Sequence, residues 1–455
     1  QYGFQQVYDT LLRKDEKNNI VSSLAEKYEM SDDGYEYTFY LTKGVMFSNG
    51  EELKAEDVKY TFEKLKDAPY SADMLSALDT IEVVDKYTVK FKLSTVNVGF
   101  LEVLATATCA VLNKTAVEQY QDQYGLSVES TVGTGPYILT ELDPGNFCIL
   151  TANENYFRGA PNIKSVKIKT ISDINAAVIA LKTGEIDYFF NDIPALSKAD
   201  IEASDNLKYS SFNSLKFYPL LLNNDCELFS DVRVRQALAY AIDREKASAM
   251  GLDGDGIVVN TPAAENFTGN PNTIDWPYQK NLEKAAQLID EAGVKGETLT
   301  IKMQSSGAFQ KIATTLQDDL NKAGLNAQIE LLEANALLSD VANGDYQACI
   351  ISWNYYTADM GEAMTTFTLS PDLGAAANLI SYSNPEFDEL VMAGSAEIDT
   401  AKREKIYEKA GKILVNDVPM IPLFFQNASR AYSSELSIEE GNVQYSLLYD
   451  FSWAK

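Results

Sequence analysis

The sequence predicts an α/β protein built as two lobes, and three observations carry that prediction. The chain has 455 residues, too many for one compact core, so two or three domains are expected. Its hydrophobic content of 45%, with 11% aromatic residues, is globular and ring-rich. Two separate regions, 166–190 and 299–351, alternate short apolar strands with helical spacing, which is the pattern of βαβ units and parallel sheets.

In chain order, Phe4, Val7, Tyr8, Leu11 and Leu12 suggest a helix, followed by a polar turn over Lys14–Asn19 and a short element at Leu24–Glu26. Tyr35, Tyr37, Phe39 and Leu41 alternate as a strand. Asn49-Gly50 marks a turn, and Ala55, Val58, Phe62 and Leu65 recur at helical spacing behind the first-turn acids Glu56 and Asp57. Tyr87–Leu93 alternates as a strand. The GTGPY run, Gly133–Tyr137, reads as a backbone turn; lacking a third glycine or a following lysine, it is no phosphate loop.

The first repeated unit has Val166, Ile168 and Thr170 alternating with Lys167 and Lys169. A helix follows from about Asp173, with Ala176, Ala177, Ile179 and Ala180 inward and Gly184 as its stop, and then an apolar strand over Ile186–Phe190. Phe229–Ala247 predicts a helix capped by Ser230, with Val234, Ala237, Leu238, Ala241 and Ile242 as its buried stripe. The second repeated unit runs from Leu299, Ile301 and Met303 through a helix stopping at Gly324 to Ala327, Ile329 and Leu331. A short helix ending near Gly344 then leads into the 348–351 strand. NPEFDEL (384–390), a helix over about 400–414 and an apolar strand at Met420–Phe425 close the chain.

Composition excludes several classes of function. A net charge of −28 and a pI near 4.4 oppose binding to nucleic acid or anionic lipid. The absence of histidine removes imidazole-based metal, nucleophile and acid–base systems. Cys109, Cys148, Cys226 and Cys349 are widely spaced without a CxxC pair; buried thiols are expected, one disulfide being the alternative. Asp253-Gly-Asp255-Gly lacks the later ligands of a calcium loop. No cofactor or metal is expected. No stretch is long and apolar enough for a membrane span. Gln1 opens abruptly in a helix-like stretch, so removal of an upstream signal segment is expected.

The stretch most suggestive of a site is Asp345–Glu362, DYQACIISWNYYTADMGE. A buried strand over Ala348–Ile351 delivers Trp353, Tyr355 and Tyr356, then Asp359. Clustered aromatics and a carboxylate at the end of such a strand suit a ligand site at a sheet's carboxyl edge; the competing reading is that the rings finish a core.

Several stretches, in order, make the chain resemble the large extracytoplasmic solute-binding proteins of ABC importers, the peptide/nickel-binding family. They are GYEYTFYLTKGVMFSNGEELKAEDVKYTFEKL, GTGPYIL, FRGAPNIKSVKI with LKTGEIDY, FSDVRVRQALAYAIDREK, and YSNPEFDEL. The resemblance implies a periplasmic-binding-protein-like fold with mixed sheets flanked by helices and a hinge between lobes. Lobe one would comprise residues 1–34, 132–222 and 425–455, with an extra subdomain over 35–131, and lobe two would be 223–424. Crossovers would fall near Leu221–Asp225 and Phe424–Ser429.

It also implies a monomeric binding component that delivers a peptide or other small solute to permease and ATPase subunits from outside the cytoplasm, either periplasmic or as a lipoprotein. Sensing on the same fold is an alternative; an enzyme is not expected. In peptide binders of this family an aspartate three residues after the tryptophan meets the ligand's amino terminus. Here that position is Tyr356, and Asp359 lies three further on. Candidate ligand residues are therefore Trp353, Asn354, Tyr355, Tyr356 and Asp359, with Gln304, Ser305 and Ser306 at a strand-to-helix junction, and Tyr2 and Phe4 near the amino terminus. A nickel chelate is disfavoured without histidine.

Overall fold

The computed structural model describes all residues except 1–2, 16–18, 69–70, 73, 371–377, 439–447 and 455. The chain forms two compact units, residues 1–212 with 428–455, and residues 213–427. It passes from one unit to the other inside two long strands, Leu207–Leu222 and Met420–Ser433. The borders fall between Phe212 and Asn213 and between Asn427 and Ala428.

In the first unit, Tyr37, Phe39 and Leu41 alternate inward along the strand Glu36–Leu41, while Tyr35 is exposed. An antiparallel sheet runs in the order Ala25–Met30, Glu36–Leu41, Thr88–Leu93, Leu78–Asp85. Helix Ala55–Lys66 buries Ala55, Val58 and Phe62, and Phe62 meets Phe91 edge-to-face at 4.9 Å. The Asp57 carboxylate accepts the Lys54 N–H at 3.0 Å, closing the start of that helix. Gly50, at φ +86°, makes the expected turn.

Several local expectations change. The amino-terminal helix is only Phe4–Val7; Leu11 and Leu12 are buried beside and within the strand Leu12–Lys14, which pairs with Ile20–Ser22. The short element at Leu24–Glu26 is the start of the strand Ala25–Met30. The GTGPY glycines serve close approach rather than a turn: a Cβ on Gly133 would sit 2.0 Å from the Val7 carbonyl oxygen, and one on Gly135 2.4 Å from the Val7 carbonyl carbon. The first repeated region is not a parallel βαβ unit. Ser165–Lys169 pairs antiparallel with Phe147–Ala152, whereas Tyr188–Phe189 pairs antiparallel with Met420–Ser433 in another sheet. The lysines alternating with Val166 and Ile168 were the warning, since one-sided polarity belongs to antiparallel strands with a solvated face. In the intervening helix, Ile174–Lys182, the inward residues are Ala177, Val178, Ala180 and Leu181; Ala176 and Ile179 face outward.

The second unit carries the parallel sheet. Thr298–Gln304 pairs in parallel with Asn326–Leu332 and with Ala348–Ile350, and helix Gly307–Lys322 makes the first crossover. Ala348–Ile350 also pairs antiparallel with Leu207–Leu222, so the sheet is mixed. The stripe Val234, Ala237, Leu238, Ala241 and Ile242 is buried as expected, but the cap of helix Val232–Ala241 is Asp231, whose carboxylate accepts the Arg233 N–H at 2.8 Å. Ser230 instead ends the short helix Glu227–Ser230. All four cysteines are free, with Cys109 and Cys349 buried. Asp253 pairs with Lys311 at 2.7 Å.

Candidate ligand-binding site

Parallel pairing decides which candidates share an edge. Met303 lies opposite Ile350 in register, so both strands end on the same side of the sheet. Gln304–Ser306 and Ser352–Tyr356 therefore leave the carboxyl edge side by side, where open α/β sheets hold ligands. Ser306 precedes helix Gly307–Lys322 and makes no side-chain cap bond. The Ser305 N–H is spent on the Leu332 carbonyl at 2.8 Å; its side chain is exposed, and Gln304 and Ser306 are half-buried.

Trp353-Asn354 forms a two-residue strand antiparallel to Leu207–Leu222, opposite Phe217 and Lys216. The Trp353 ring meets Phe367 edge-to-face at 5.2 Å. Its indole is half-buried, and its Nε1–H has no hydrogen-bond partner among the described residues. Asn354 is exposed.

The two tyrosines that follow part company. Tyr355 points inward, between Phe217 at 6.0 Å, Phe425 at 6.1 Å and Phe267 at 5.8 Å. Burial pushes its phenol well above the usual range, and its hydroxyl has no partner among the described residues. Tyr356 is 42% exposed. A strand's two-residue period explains the split, since neighbours point to opposite sides.

The turn behind Tyr356 is held by Glu362, which sequence reasoning missed. Its carboxylate accepts the Tyr356 and Thr357 N–H groups, each at 2.8 Å, and the Thr357 hydroxyl at 2.5 Å. Burial pushes its carboxyl up to about 7. Asp359-Met-Gly-Glu362 has the spacing of a helix-start capping box, and that pattern was the available signal.

Asp359 is only 3% exposed. One of its oxygens accepts the Gly361 N–H at 2.8 Å, capping helix Met360–Thr366, and pairs with Arg403 at 2.7 Å. Arg403 also donates to the Gly394 carbonyl at 3.1 Å and lies 3.4 Å from the Tyr407 hydroxyl. The carboxylate is thus engaged inside the unit. Arg403 stands 44 positions away in sequence and offered no local signal. Phe4 belongs to the first unit, half-exposed and stacked on Tyr8 at 4.2 Å. Tyr2 lies outside the described residues.

The model of the bacterial extracellular solute-binding proteins, family 5 Middle, matches residues 19–375. The chain belongs to this family. Its sequence is 30% identical to the oligopeptide-binding protein AppA of Bacillus subtilis (strain 168), over 94% of this chain and 82% of AppA. The structure of AppA in complex with a nonapeptide superposes with a TM-score of 0.81 at 28% identity, covering 99% of this chain and 94% of that one. The periplasmic binding protein DppA from Helicobacter pylori, in complex with the peptide STSA, gives 0.83 at 25% identity over 99% and 93%. The family-5 fold is the periplasmic-binding-protein type, with mixed α/β sheets, and these relatives are binding proteins. No helix among the described residues is long and apolar enough to cross a membrane.

Proposed function

We propose that this family-5 protein captures a peptide outside the cytoplasm and hands it to an ABC permease, with no enzymatic step. The observation that carries the reading is the carboxyl edge of the second unit's sheet. There the half-buried Trp353 with its unpartnered N–H, exposed Asn354 and Tyr356, and the Gln304–Ser306 junction converge. Such an edge offers backbone groups to an extended ligand and side chains to flank it. The peptide complexes of AppA and DppA, on the same fold, support this ligand class.

A second reading concerns the ligand's amine. Asp359 is committed to Arg403 and the Gly361 N–H, and by the family resemblance Tyr356 takes the position of an acid that meets a peptide's ammonium. A ligand that offers no free amine at this edge fits that arrangement. Mass spectrometry of ligand released from purified protein, then calorimetry with the identified compounds, tests both readings. Peptides should be recovered, and Trp353→Ala should weaken their binding at least tenfold. N-acetylation should leave affinity within a factor of two. Recovery of only non-peptide solutes, or unchanged affinity in Trp353→Ala, refutes the proposed site.

A further inference from the structure

The first unit contains a pocket that the site above does not use. Its walls are Phe4 stacked on Tyr8 and the small side chains of Ala105 and Ala110; Arg13 and Arg158 also line it. In a chain with 66 acidic and 38 basic residues, two arginines on one small pocket are unexpected, and the one carboxylate that lines it with them is Asp9. Among the described residues, the Arg13 Nε–H is buried without a partner, and its Nη1 reaches the Lys14 carbonyl at 3.4 Å. The Arg158 guanidinium lies 4.9 Å over the Tyr449 ring. Among the described residues, no carboxylate comes within 4 Å of either guanidinium.

The neighbouring charges are already committed. Asp9 accepts the Tyr156 hydroxyl at 2.8 Å and the Thr134 hydroxyl at 3.0 Å, and its single charge is shared at longer range between Arg158 and Arg13. Lys14 pairs with Glu102 at 2.8 Å. The charges of Asp450 and Asp15 favour the Arg13 cation, while Arg158 opposes it. The buried Arg13 N–H costs free energy unless an acceptor joins it, and one carboxylate, Asp9, leaves the two guanidiniums with a net positive charge.

We propose that this pocket binds a carboxylate, held by Arg13 and Arg158, with its carbon substituent against the Phe4–Tyr8 and alanine walls. The planar guanidinium fork matches a carboxylate in two parallel hydrogen bonds. The cavity volume is about 60 Å³. A water needs roughly 15 Å³ on that measure, so about four heavy atoms fit, a carboxylate with one or two carbons. The carboxylate has two sources, a free short organic acid or the end of a peptide; only the second rests on the function proposed above.

The test uses propanoate and its neutral isostere propanamide with the full chain, read by saturation-transfer NMR and by melting temperature. Propanoate should bind and raise the melting temperature, and propanamide should do neither. Arg13→Gln should weaken propanoate at least tenfold and Arg13→Lys less. Should Arg13→Gln not fold, Arg158→Gln gives the same reading, and the wild-type comparison of the two probes needs no variant. Equal behaviour of the two probes, no propanoate binding, or full binding by a folded Arg13→Gln protein overturns the proposal. If a free-acid peptide displaces propanoate and its C-terminal amide does not, the carboxylate is the peptide's own. If neither displaces it, the site serves a separate small acid. Propanoate binding is measured without any peptide, so failure here and failure of peptide capture are read independently.

Discussion

Replacing Asp359 by alanine separates an internal role from a ligand-binding one. The Asp359 and Arg403 side chains are 5% and 6% exposed and 2.7 Å apart. Removing the carboxylate leaves a buried guanidinium with only the Gly394 carbonyl at 3.1 Å and a long contact to Tyr407. Breaking a buried pair in this way costs about 3–5 kcal/mol. The same carboxylate caps helix Met360–Thr366 through the Gly361 N–H, and losing a cap costs about 1 kcal/mol more. The total, about 4–6 kcal/mol, is a large share of an ordinary domain's stability. For a unit of about 215 residues it lowers the melting temperature by about 10–20 °C. Circular dichroism on heating measures this, alongside calorimetry with the recovered ligand at a temperature where the variant is folded. Asp359→Leu combined with Arg403→Met should recover most of the loss, because the charge left behind is what costs. A melting temperature within about 2 °C of wild type with tenfold weaker ligand binding would refute the reasoning and make Asp359 a ligand group.

Three further outcomes follow from the same geometry. Tyr355→Phe removes a buried hydroxyl without a partner and should stabilise by about 1 kcal/mol with ligand affinity unchanged, whereas Tyr356→Ala should leave stability within about 0.5 kcal/mol and weaken binding; reversed effects would sink the assignment of the pair. Glu362 keeps its proton to about pH 7 in the folded chain but releases it near 4.5 when unfolded. Its contribution to stability is therefore largest below the unfolded value, falls as pH rises from about 4.5 to 7, and is level above, a change of roughly 3 kcal/mol. Urea midpoints for wild type and Glu362→Gln across that window should differ in slope; parallel curves would disprove it. Gly133→Ala drives a Cβ into the Val7 carbonyl and should cost about 3 kcal/mol, while Gly307→Ala, with nothing within 4 Å, should stay within about 0.5 kcal/mol; equal melting temperatures would show the close approach to be slack.

Much of the fold was legible because burial imposes a period on the chain. The stripe from Val234 to Ile242, the helix from Ala55 and the parallel unit from Leu299 to Leu331 all repeat apolar residues at the spacing of their element. Legibility failed where pairing partners lie far away. Ser165–Lys169 and Tyr188–Phe189 looked like neighbours across a helix, yet each pairs elsewhere, Tyr188 with Tyr432.

The same line divides the candidate site. Position along the chain was enough to bring Trp353, Asn354 and Tyr356 to the end of a strand, and the order of motifs was enough to name the family. Tertiary structure alone decided that Tyr355 turns into a nest of phenylalanine rings, that Arg403 occupies Asp359, and that the strands ending at Gln304 and Ile350 share one sheet edge. It also brought Arg13 and Arg158 to one pocket across a long stretch of chain. Periodicity reports which side of an element is buried, because water acts on each residue locally. Partners brought together by folding leave no mark in the spacing of either one, and charge pairing depends on those partners.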